Sequence, residues 1–411
     1  KAIAFWGKRK KTFADPGVLK QFARNLAATG KDDAGVQAYK TKGTPMLVDI
    51  MNSVGGFPTR YWQKGKFEGA DKINAGALHS RCDVKPNACL KCFMACGRLS
   101  TVKTGRHQGL TVEGPEYETI YAMGANCMID NLAAVIKANY ICNELGIDTI
   151  TMGATVACAM ELVDRGYLSE LEVGRALKWG DGEALVELTR MTGYREGFGD
   201  RLAEGSFRLA KQCGHPELAM VSKKQEFPGY EPRGAQAMGL AYATSPIGGS
   251  HMRGDPAYFE LFGIPEPVDP HEWKGKAKIT KSFQDLSAII DAAGLCIFFA
   301  VRNLAAKDLE VAPTGILEYL NAATGADYTL EELMRAGERV ITAERQFLVK
   351  AGFSRKDDTL PKRLTEEPMP EGPAKGMVCH LDEMLDEYYR EQDWTDDGIP
   401  RKERLMALGL N

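Results

Sequence analysis

Residues 88–97 read Ala-Cys-Leu-Lys-Cys-Phe-Met-Ala-Cys-Gly and place Cys89, Cys92 and Cys96 in a C-x2-C-x3-C run. Three thiolates this close in sequence can converge on one small object only if the backbone curls around it. A cubane iron–sulfur cluster needs that geometry and takes a fourth cysteine from elsewhere. Structural zinc sites also use C-x2-C, usually with a second such pair or an H-x3–5-H pair, and the sequence has neither. The spacing therefore favours a cluster, with zinc as the alternative.

The composition is that of an ordinary globular protein rather than a nucleic-acid or membrane protein. The chain has 411 residues, enough for two or three domains, with 44% apolar and 26% charged residues. Its 52 basic and 55 acidic residues give a net charge of −3, so bulk charge does not favour nucleic acid or an anionic membrane. No apolar run approaches the roughly 18 residues of a membrane span. Ten scattered cysteines are typical of a reducing compartment, which predicts a cytoplasmic protein without disulfides.

Apolar periodicity predicts a mainly α-helical chain with little β structure. Capping boxes begin at Ser169 and Thr329, and glycines such as Gly55 and Gly146 end helical patterns. Residues 225–256 are rich in glycine and proline without a period, which predicts a long loop that forms a site. The predicted helices are 130–145, 152–165, 171–179, 182–191, 201–213, 282–303, the segment after Thr329, 381–389, and shorter patterns before residue 56 and after residue 114.

One short pattern, (Asn/Asp)-x-x-Gly-(Ile/Leu)-(Asp/Cys), occurs at residues 143–148 and again at 291–296. A glycine at the end of an apolar helix allows a left-handed turn or the close approach of a flat ligand. An ordinary helix cap explains either copy alone, whereas two matching copies suggest a ligand with two similar halves. The second copy ends in Cys296, which we predict as the fourth cluster ligand. One half of the ligand would then lie beside the cluster.

With these motifs the chain resembles the tungsten-dependent aldehyde:ferredoxin oxidoreductases. The resemblance covers nearly all residues and corresponds to the second and third domains of that family, which are helical. It implies a first, β-rich domain upstream of Lys1, with 1–8 as the end of that domain and helical domains at 9–220 and 221–411. The matching segments are 89–96, 114–118 (Gly-Pro-Glu-Tyr-Glu), both repeat copies, 226–234 (Glu-Phe-Pro-Gly-Tyr-Glu-Pro-Arg-Gly), 241–244 and 358–363.

The resemblance also implies a role for each matching residue. Glu118 and His251 correspond to the acid and the histidine near tungsten. The first repeat copy opens with Asn143, where the family usually has aspartate, so its hydrogen bonds can persist without the charge. The implied ligands of a [4Fe–4S] cluster are Cys89, Cys92, Cys96 and Cys296, and the implied contacts of a tungsten (or molybdenum) bis-pyranopterin are Asn143, Gly146, Ile147, Asp148, Asp291, Gly294 and Leu295.

The implied activity is oxidation of aldehydes to carboxylic acids, with electrons leaving through the cluster to ferredoxin or another iron–sulfur partner. Glu118 would take the proton of an attacking water, and His251 would hydrogen-bond the carbonyl oxygen. From the sequence alone a helix-dipole carboxylate is the favoured interpretation of Glu118, and the resemblance reverses that order. Cys127 is either a packed apolar residue or a thiolate facing the metal. The alternatives are a low-potential reductase of activated aromatic or carboxylic acids, an electron-transfer subunit without catalytic metal, and a zinc scaffold.

Some relatives are homodimers bridged by a metal on a Glu-x-x-His motif. The matching positions here read Lys137-Ala138-Asn139-Tyr140. An ammonium repels a cation, and a phenol with a pKa near ~10 is a poor ligand at neutral pH. We predict no bridging metal there, and a homo-oligomer would need apolar or hydrogen-bonded contacts instead.

Overall fold

The computed structural model describes residues 4, 6–8, 11–261, 263, 267–303 and 313–410, and within these ranges the protein is mainly α-helical, as predicted. The predicted strand end at 1–8 falls largely outside the described residues. The first half contains α1 Pro16–Asp32, α2 Ala34–Lys42, α3 Leu47–Val54, α4 Ala75–Arg81, β1 Cys82–Asn87, β2 Gly97–Val102, β3 Thr111–Glu113, α5 Tyr117–Met123, α6 Leu132–Leu145, α7 Thr149–Asp164, α8 Glu170–Val173, α9 Gly182–Tyr194, α10 Phe198–Leu202 and α11 Ser206–Gln212.

The second half continues with two very short strands and nine more helices among the described residues. These elements are β4 Val221–Ser222, β5 Gln225–Glu226, α12 Gln236–Thr244, α13 Ala257–Glu260, α14 Lys276–Ala292, α15 Ile297–Asn303, α16 Thr314–Thr324, α17 Leu330–Lys350, α18 Lys362–Thr365, α19 Leu381–Glu391 and α20 Lys402–Leu408.

The cysteine run lies in the loop of a β-hairpin. Strands β1 and β2 pair antiparallel from Cys82 opposite Val102 to Asn87 opposite Gly97, and β3 adds a third strand beside β2. Residues 88–96 connect β1 to β2, so the hairpin fixes both ends of the cysteine loop. Local sequence patterns do not predict these strands, because β1 contains Pro86 and the connection is much longer than the two-residue turn that marks a hairpin.

Several predicted helix ends are confirmed. Asp181 caps α9 beside its predicted start at 182, and Asn131 caps α6 close to its predicted start at 130. Asp148 caps α7, so that helix begins at Thr149 rather than at the predicted 152. Both predicted capping boxes are formed, at Ser169 and at Thr329. Because these polar side chains satisfy N–H groups that lack an intrahelical partner, local sequence determined where these helices begin.

Other predicted boundaries are wrong. The helix after Ser169 ends at Val173, where Gly174 takes a left-handed conformation, rather than continuing to 179. The predicted helix 201–213 is two helices, α10 and α11, separated at Gly205. Residues 225–256 are not one loop, because they include α12, whose residues are all buried. A helix that is apolar on every side shows no amphipathic period, which is why the pattern missed it.

One large hydrophobic core holds most of the structure together and includes residues from both sides of position 220, among them Trp62, Tyr121 and Tyr388. A second cluster surrounds α14, α15 and α16. The glycine-proline motif at 226–234 lies in the large core, and within it Glu231 and Arg233 form a buried ion pair at 2.9 Å. None of the helices in the described ranges is long and apolar enough to cross a membrane. The division at residue 220 stays a prediction.

A cysteine-lined candidate active site

The cysteine loop is held against the end of α2 by one buried arginine. The Arg98 guanidinium donates hydrogen bonds to the carbonyl oxygens of Tyr39 at 2.9 Å and Lys40 at 2.8 Å, and to that of Ala95 within the loop. Lys91 and Ala95 take left-handed conformations, with φ of 60° and 47°, which curl the backbone. Residues 88–96 therefore adopt a defined, curved conformation, which three ligands of a single cluster require.

Cys296 lies near this loop, although it is distant in sequence. Cys296 precedes the first residue of α15. In that helix the centre of the Phe299 ring lies 5.4 Å from the centre of the Phe93 ring in the cysteine loop. Burial, followed by the charges of Glu116, Cys296 and Cys92, raises the pKa of the Cys96 thiol to about 11. The Cys92 and Cys296 thiols are thus close enough to Cys96 to contribute to the rise in its pKa.

The fourth predicted ligand, Cys89, is exposed and shares a pocket wall with Cys96. In the described ranges no three His, Cys, Asp or Glu side chains converge on one point as ligands of a single metal ion would. The ligands of a cubane cluster bind different irons, so they need only surround the cluster. Three thiols on a curved, anchored loop and a fourth from Cys296 at the start of α15 fit such a group.

A pocket of about 380 Å³ connects the cysteine loop to the predicted acid–histidine pair. Glu118 and His251 form one part of its wall, while Cys89 and Cys96 form another. The complete lining is Thr44, Leu47, Asn87, Ala88, Cys89, Cys96, Gly97, Glu113, Glu116, Tyr117, Glu118, Tyr230, His251, Met252 and Phe298. The residues come from segments up to 254 positions apart in sequence, from Thr44 to Phe298, which only the fold brings together.

Glu118 is a buried acid with one free oxygen. Its Oε2 accepts a hydrogen bond from the Gly229 N–H at 2.9 Å, whereas Oε1 is buried and has no partner among the described residues. Burial raises the pKa of Glu118 to about 8, the Gly229 N–H opposes that rise, and the charges of Asp255 and Asp148 add to it. Its position in the first turn of α5 is compatible with a helix-dipole role, but the dipole does not account for a buried oxygen that has no partner among the described residues.

His251 faces the free oxygen of Glu118, with its Nε2 4.0 Å from Oε1. Burial lowers the pKa of His251 to about 4, so the imidazole is neutral at pH 7. A neutral imidazole has one N–H donor and one acceptor nitrogen. The separation exceeds a hydrogen bond, but one small polar atom can lie within hydrogen-bond distance of both side chains.

Two neighbours of His251 also belong to this region, and the sequence analysis did not identify them. Arg253 pairs with Asp291, the first residue of the second repeat copy, at 2.5 Å. Asp255 is buried, accepts a hydrogen bond from the Ala257 N–H at 3.2 Å, and has a pKa raised to about 7 by burial and by the charge of Glu260. The only available signal was their position in the glycine-rich segment of His251.

The two repeat copies have the same backbone geometry. Gly146 and Gly294 have φ of 69° and 68°. In each copy the next residue closes the turn, because Ile147 N–H bonds the Cys142 carbonyl at 2.9 Å and Leu295 N–H bonds the Ile290 carbonyl at 3.0 Å. A Cβ added to either glycine would meet no atom within 4 Å. Both turns therefore present bare backbone to open space, as contact with a flat ring requires.

The asparagine that replaces the usual aspartate has a specific use here. Asn143 Nδ2 donates to the Glu113 carbonyl at 3.1 Å, and its Oδ1 accepts from Asn139 Nδ2 at 3.1 Å. A carboxylate could not make the first of these bonds, because it has no proton to donate at neutral pH. The substitution thus joins α6 to the end of β3.

Two other predictions concern residues outside the pocket. Cys127 is fully buried, its thiol donates weakly to the Ala122 and Gly153 carbonyls at 3.4 Å, and burial raises its pKa. It is a packed residue, as the commoner fate of free cysteine suggested. Lys137 Nζ lies 4.7 Å from the centre of the Tyr140 ring, a cation–π contact on the exposed side of α6.

The fold thus places a cysteine loop beside a buried acid–histidine pair within a mainly helical frame. The family model for "Aldehyde ferredoxin oxidoreductase, domains 2 & 3" matches residues 21–410. The chain therefore belongs to the aldehyde ferredoxin oxidoreductase family, whose members are oxidoreductases.

Curated relatives agree with this assignment. The chain is 43% identical to proteins named tungsten-containing aldehyde ferredoxin oxidoreductase from Thermococcus kodakarensis and from Pyrococcus furiosus, covering 100% of this chain and 67% of each relative. It is 28% identical to an "Aliphatic sulfonate oxidoreductase, WOR-like subunit" of Pyrococcus furiosus, over 86% of this chain and 55% of the relative. The chain spans about two thirds of the length of the first two.

A solved structure shares the fold. The active site complex BamBC of benzoyl coenzyme A reductase, in complex with 1,5-dienoyl-CoA, matches with a TM-score of 0.71 over 98% of this chain and 66% of that chain. The sequence identity is 19%, so this likeness supports the fold alone.

Proposed function

We propose that this chain works as part of a tungsten–pterin oxidoreductase that oxidises aldehydes to carboxylic acids. The observation that carries the proposal is the pocket in which Glu118 and His251 face the cysteine loop. Each turnover follows RCHO + H2O → RCOO⁻ + 3 H⁺ + 2 e⁻, and the electrons would leave through a [4Fe–4S] cluster to a ferredoxin or another iron–sulfur partner. Each turnover would therefore reduce two molecules of a one-electron ferredoxin.

The residues present fit the groups that the family name implies. The four predicted cluster ligands, Cys89, Cys92, Cys96 and Cys296, provide a thiol set for a cluster. The bare turns at Gly146 and Gly294 would each hold one pterin, with Ile147, Leu295 and the adjoining polar side chains around them. When bound, tungsten (or molybdenum) on its pyranopterins supplies the two-electron chemistry.

The protein's own part is to place a proton acceptor and a hydrogen-bond donor at one spot. Gly229 fixes Oε2 of Glu118, which leaves Oε1 as the atom that can take a proton from an attacking water. The N–H of the neutral His251 imidazole can donate to the carbonyl oxygen as negative charge develops there. Both side chains are about five-sixths buried, so little bulk water competes for these bonds.

The repeat copies would couple binding of the pterin to this pair. The charge of Asp148, at the end of the first copy, contributes to the raised pKa of Glu118. Arg253 connects the His251 segment to Asp291 of the second copy through an ion pair. Each catalytic side chain would thus be linked to a different copy of the repeat, Glu118 through the charge of Asp148 and the His251 segment through the Arg253–Asp291 ion pair.

The test is aldehyde-dependent reduction of benzyl viologen by the full-length protein, purified without oxygen and analysed for tungsten, iron and sulfide. We expect activity that rises with tungsten content. His251→Gln should lower kcat by about 10²-fold, the lower range for loss of an electrostatic or acid–base group. His79→Gln, at an exposed position on α4, is the control. Tungsten-loaded protein that does not oxidise any aldehyde would refute the proposal.

A further inference from the structure

The cysteine loop has an outer face as well as the face that lines the pocket. Residues 88–91 are all exposed, and Leu90 is 92% exposed although it is apolar. It lies directly between two predicted cluster ligands. A single exposed leucine needs no explanation on an ordinary surface, but this one stands beside the proposed cluster site.

Basic side chains surround this leucine. Residues 34–43 contain Lys40 and Lys42 and no acid, and residues 84–98 contain Lys85, Lys91 and the buried Arg98 and no acid. The four lysines are exposed, and none is in an ion pair with another residue of the described ranges. The chain as a whole has a net charge of −3, so this concentration of positive charge is local.

The backbone brings the two basic segments together. Arg98 bonds the carbonyl oxygens of Tyr39 and Lys40 and that of Ala95, so the last turn of α2 adjoins the cysteine loop. Glu116 lines the pocket, and the exposed Glu113 accepts a hydrogen bond from Asn87 Nδ2 at 3.0 Å. Asp32 and Asp33 precede α2, at the opposite end of that helix from Lys40 and Lys42. Asp83 is exposed on β1, roughly 16 Å from the loop at about 3.3 Å per residue.

We propose that Lys40, Lys42, Lys85 and residues 88–91, the cysteine-loop face, form the docking surface for an acidic electron-transfer protein that carries its own iron–sulfur centre near its surface. The proposal rests on the proposed function. Positive charge on the surface where electrons leave the proposed cluster would steer an acidic partner and speed its association. Leu90 would supply the apolar centre of a small interface of the kind that transient redox complexes use. The positive rim excludes basic partners through like-charge repulsion.

The experiment compares two electron acceptors with the full-length holoenzyme, an acidic ferredoxin of known net charge and the small dye benzyl viologen. Lys40→Glu/Lys42→Glu/Lys85→Glu, which leaves the cysteine loop unaltered, should raise KM for the ferredoxin about tenfold or more, within the range for electrostatic steering. Turnover with the dye should not change. Lys211→Glu is the matched control, because Lys211 is likewise an exposed lysine in the last turn of a helix.

The apolar part has its own control. Leu90→Ala should raise KM for the ferredoxin several-fold, whereas Leu171→Ala, at a position that is 91% exposed elsewhere, should have no effect. With the unaltered enzyme, KM for the ferredoxin should rise with salt, since the screening length is about 10 Å at 0.1 M and falls to about 3 Å at 1 M.

Three outcomes would overturn the docking surface: a ferredoxin KM that does not depend on salt, a triple variant with unchanged ferredoxin KM, or Lys211→Glu as damaging as that variant. Calorimetric titration of the ferredoxin into the holoenzyme measures binding without turnover. If no aldehyde reduces the dye, the proposed function fails, while the calorimetric comparison of triple variant and wild type still decides the docking surface.

Discussion

Replacing Glu118 by glutamine tests the acid assignment most directly, because the structure specifies a pH range. The pKa of Glu118 is raised to about 8, chiefly by burial. If ionised Glu118 is the proton acceptor, about 9% of the enzyme has Glu118 ionised at pH 7 and about 91% at pH 9. The value of kcat/KM should therefore rise about tenfold from pH 7 to pH 9. Glu118→Gln should remove this rise and lower kcat by about 10²- to 10⁴-fold.

The assay is viologen-linked aldehyde oxidation from pH 6 to pH 10. His251, with a pKa of about 4, does not titrate in this range, so it cannot produce the inflection. Asp255→Asn should move the inflection to lower pH, because the negative charge of Asp255 contributes to the raised pKa of Glu118. Glu331→Gln removes a first-turn carboxylate from α17 and should leave the profile unchanged. An unchanged inflection with near-normal turnover in Glu118→Gln would refute the assignment.

The same pKa has a consequence for stability that does not depend on turnover. Between the unfolded value of 4.5 and the folded value of about 8, the folded protein holds a proton at Glu118 that the unfolded chain has lost. Binding of this proton therefore stabilises the folded protein. The stabilisation is fully present below pH 4.5 and is lost as pH rises through about 8. At about 1.36 kcal/mol per pKa unit the loss is at most about 5 kcal/mol. Thermal unfolding of Glu118→Gln should show a weaker dependence on pH in this window.

Three further predictions concern the metal and cofactor sites. Cys296→Ser should lose or damage the cluster, seen as lower iron content and an altered EPR signal, whereas Cys213→Ser should keep both; four cysteine ligands that exclude Cys296 would contradict this. Gly146→Ala should lower pterin content in the holoenzyme. Gly409→Ala is the control for backbone strain, because the two glycines have φ of 69° and 67° and no atom lies within 4 Å of an added Cβ at either position. Equal pterin content in the two variants would contradict the contact between Gly146 and the pterin. Anomalous scattering should find no metal beside Lys137, and a peak between two copies of α6 would show that prediction to be wrong.

Much of the fold and the pairing of Glu118 with His251 could be predicted from the sequence. Helix starts were predictable where a capping box marks the first turn, as at Thr329, whose hydroxyl accepts from the Glu332 N–H at 3.2 Å. The resemblance placed Glu118 and His251 near each other, and the structure puts them 4.0 Å apart. Family motifs carry such long-range information, which residue patterns within a short window do not.

The rest depended on contacts that no local pattern encodes. The hairpin that carries the cysteine loop is stabilised by pairing with β3 and by Arg98, whose partners lie some 58 positions away on α2. The buried helix α12 has no polar face to give it a period. Asp255 becomes chemically distinctive only because the fold buries it, which raises its pKa to about 7. Burial of a polar group is a tertiary property, so the sequence alone did not indicate it.

The two repeat copies also show how one turn can serve two purposes. In the first copy Asp148 occupies the cap position of α7, and its carboxylate satisfies the Thr151 N–H. In the second copy Cys296 occupies the matching position at the start of α15, where its carbonyl accepts from the Ala300 N–H at 2.8 Å. A thiol is a weak acceptor and a poor cap, so this residue gives up the capping bond and remains exposed. An aspartate at this position would cap the helix better by about 1 kcal/mol, whereas the cysteine places a thiol near Cys96 of the cysteine loop and directly beside the turn proposed to hold one pterin.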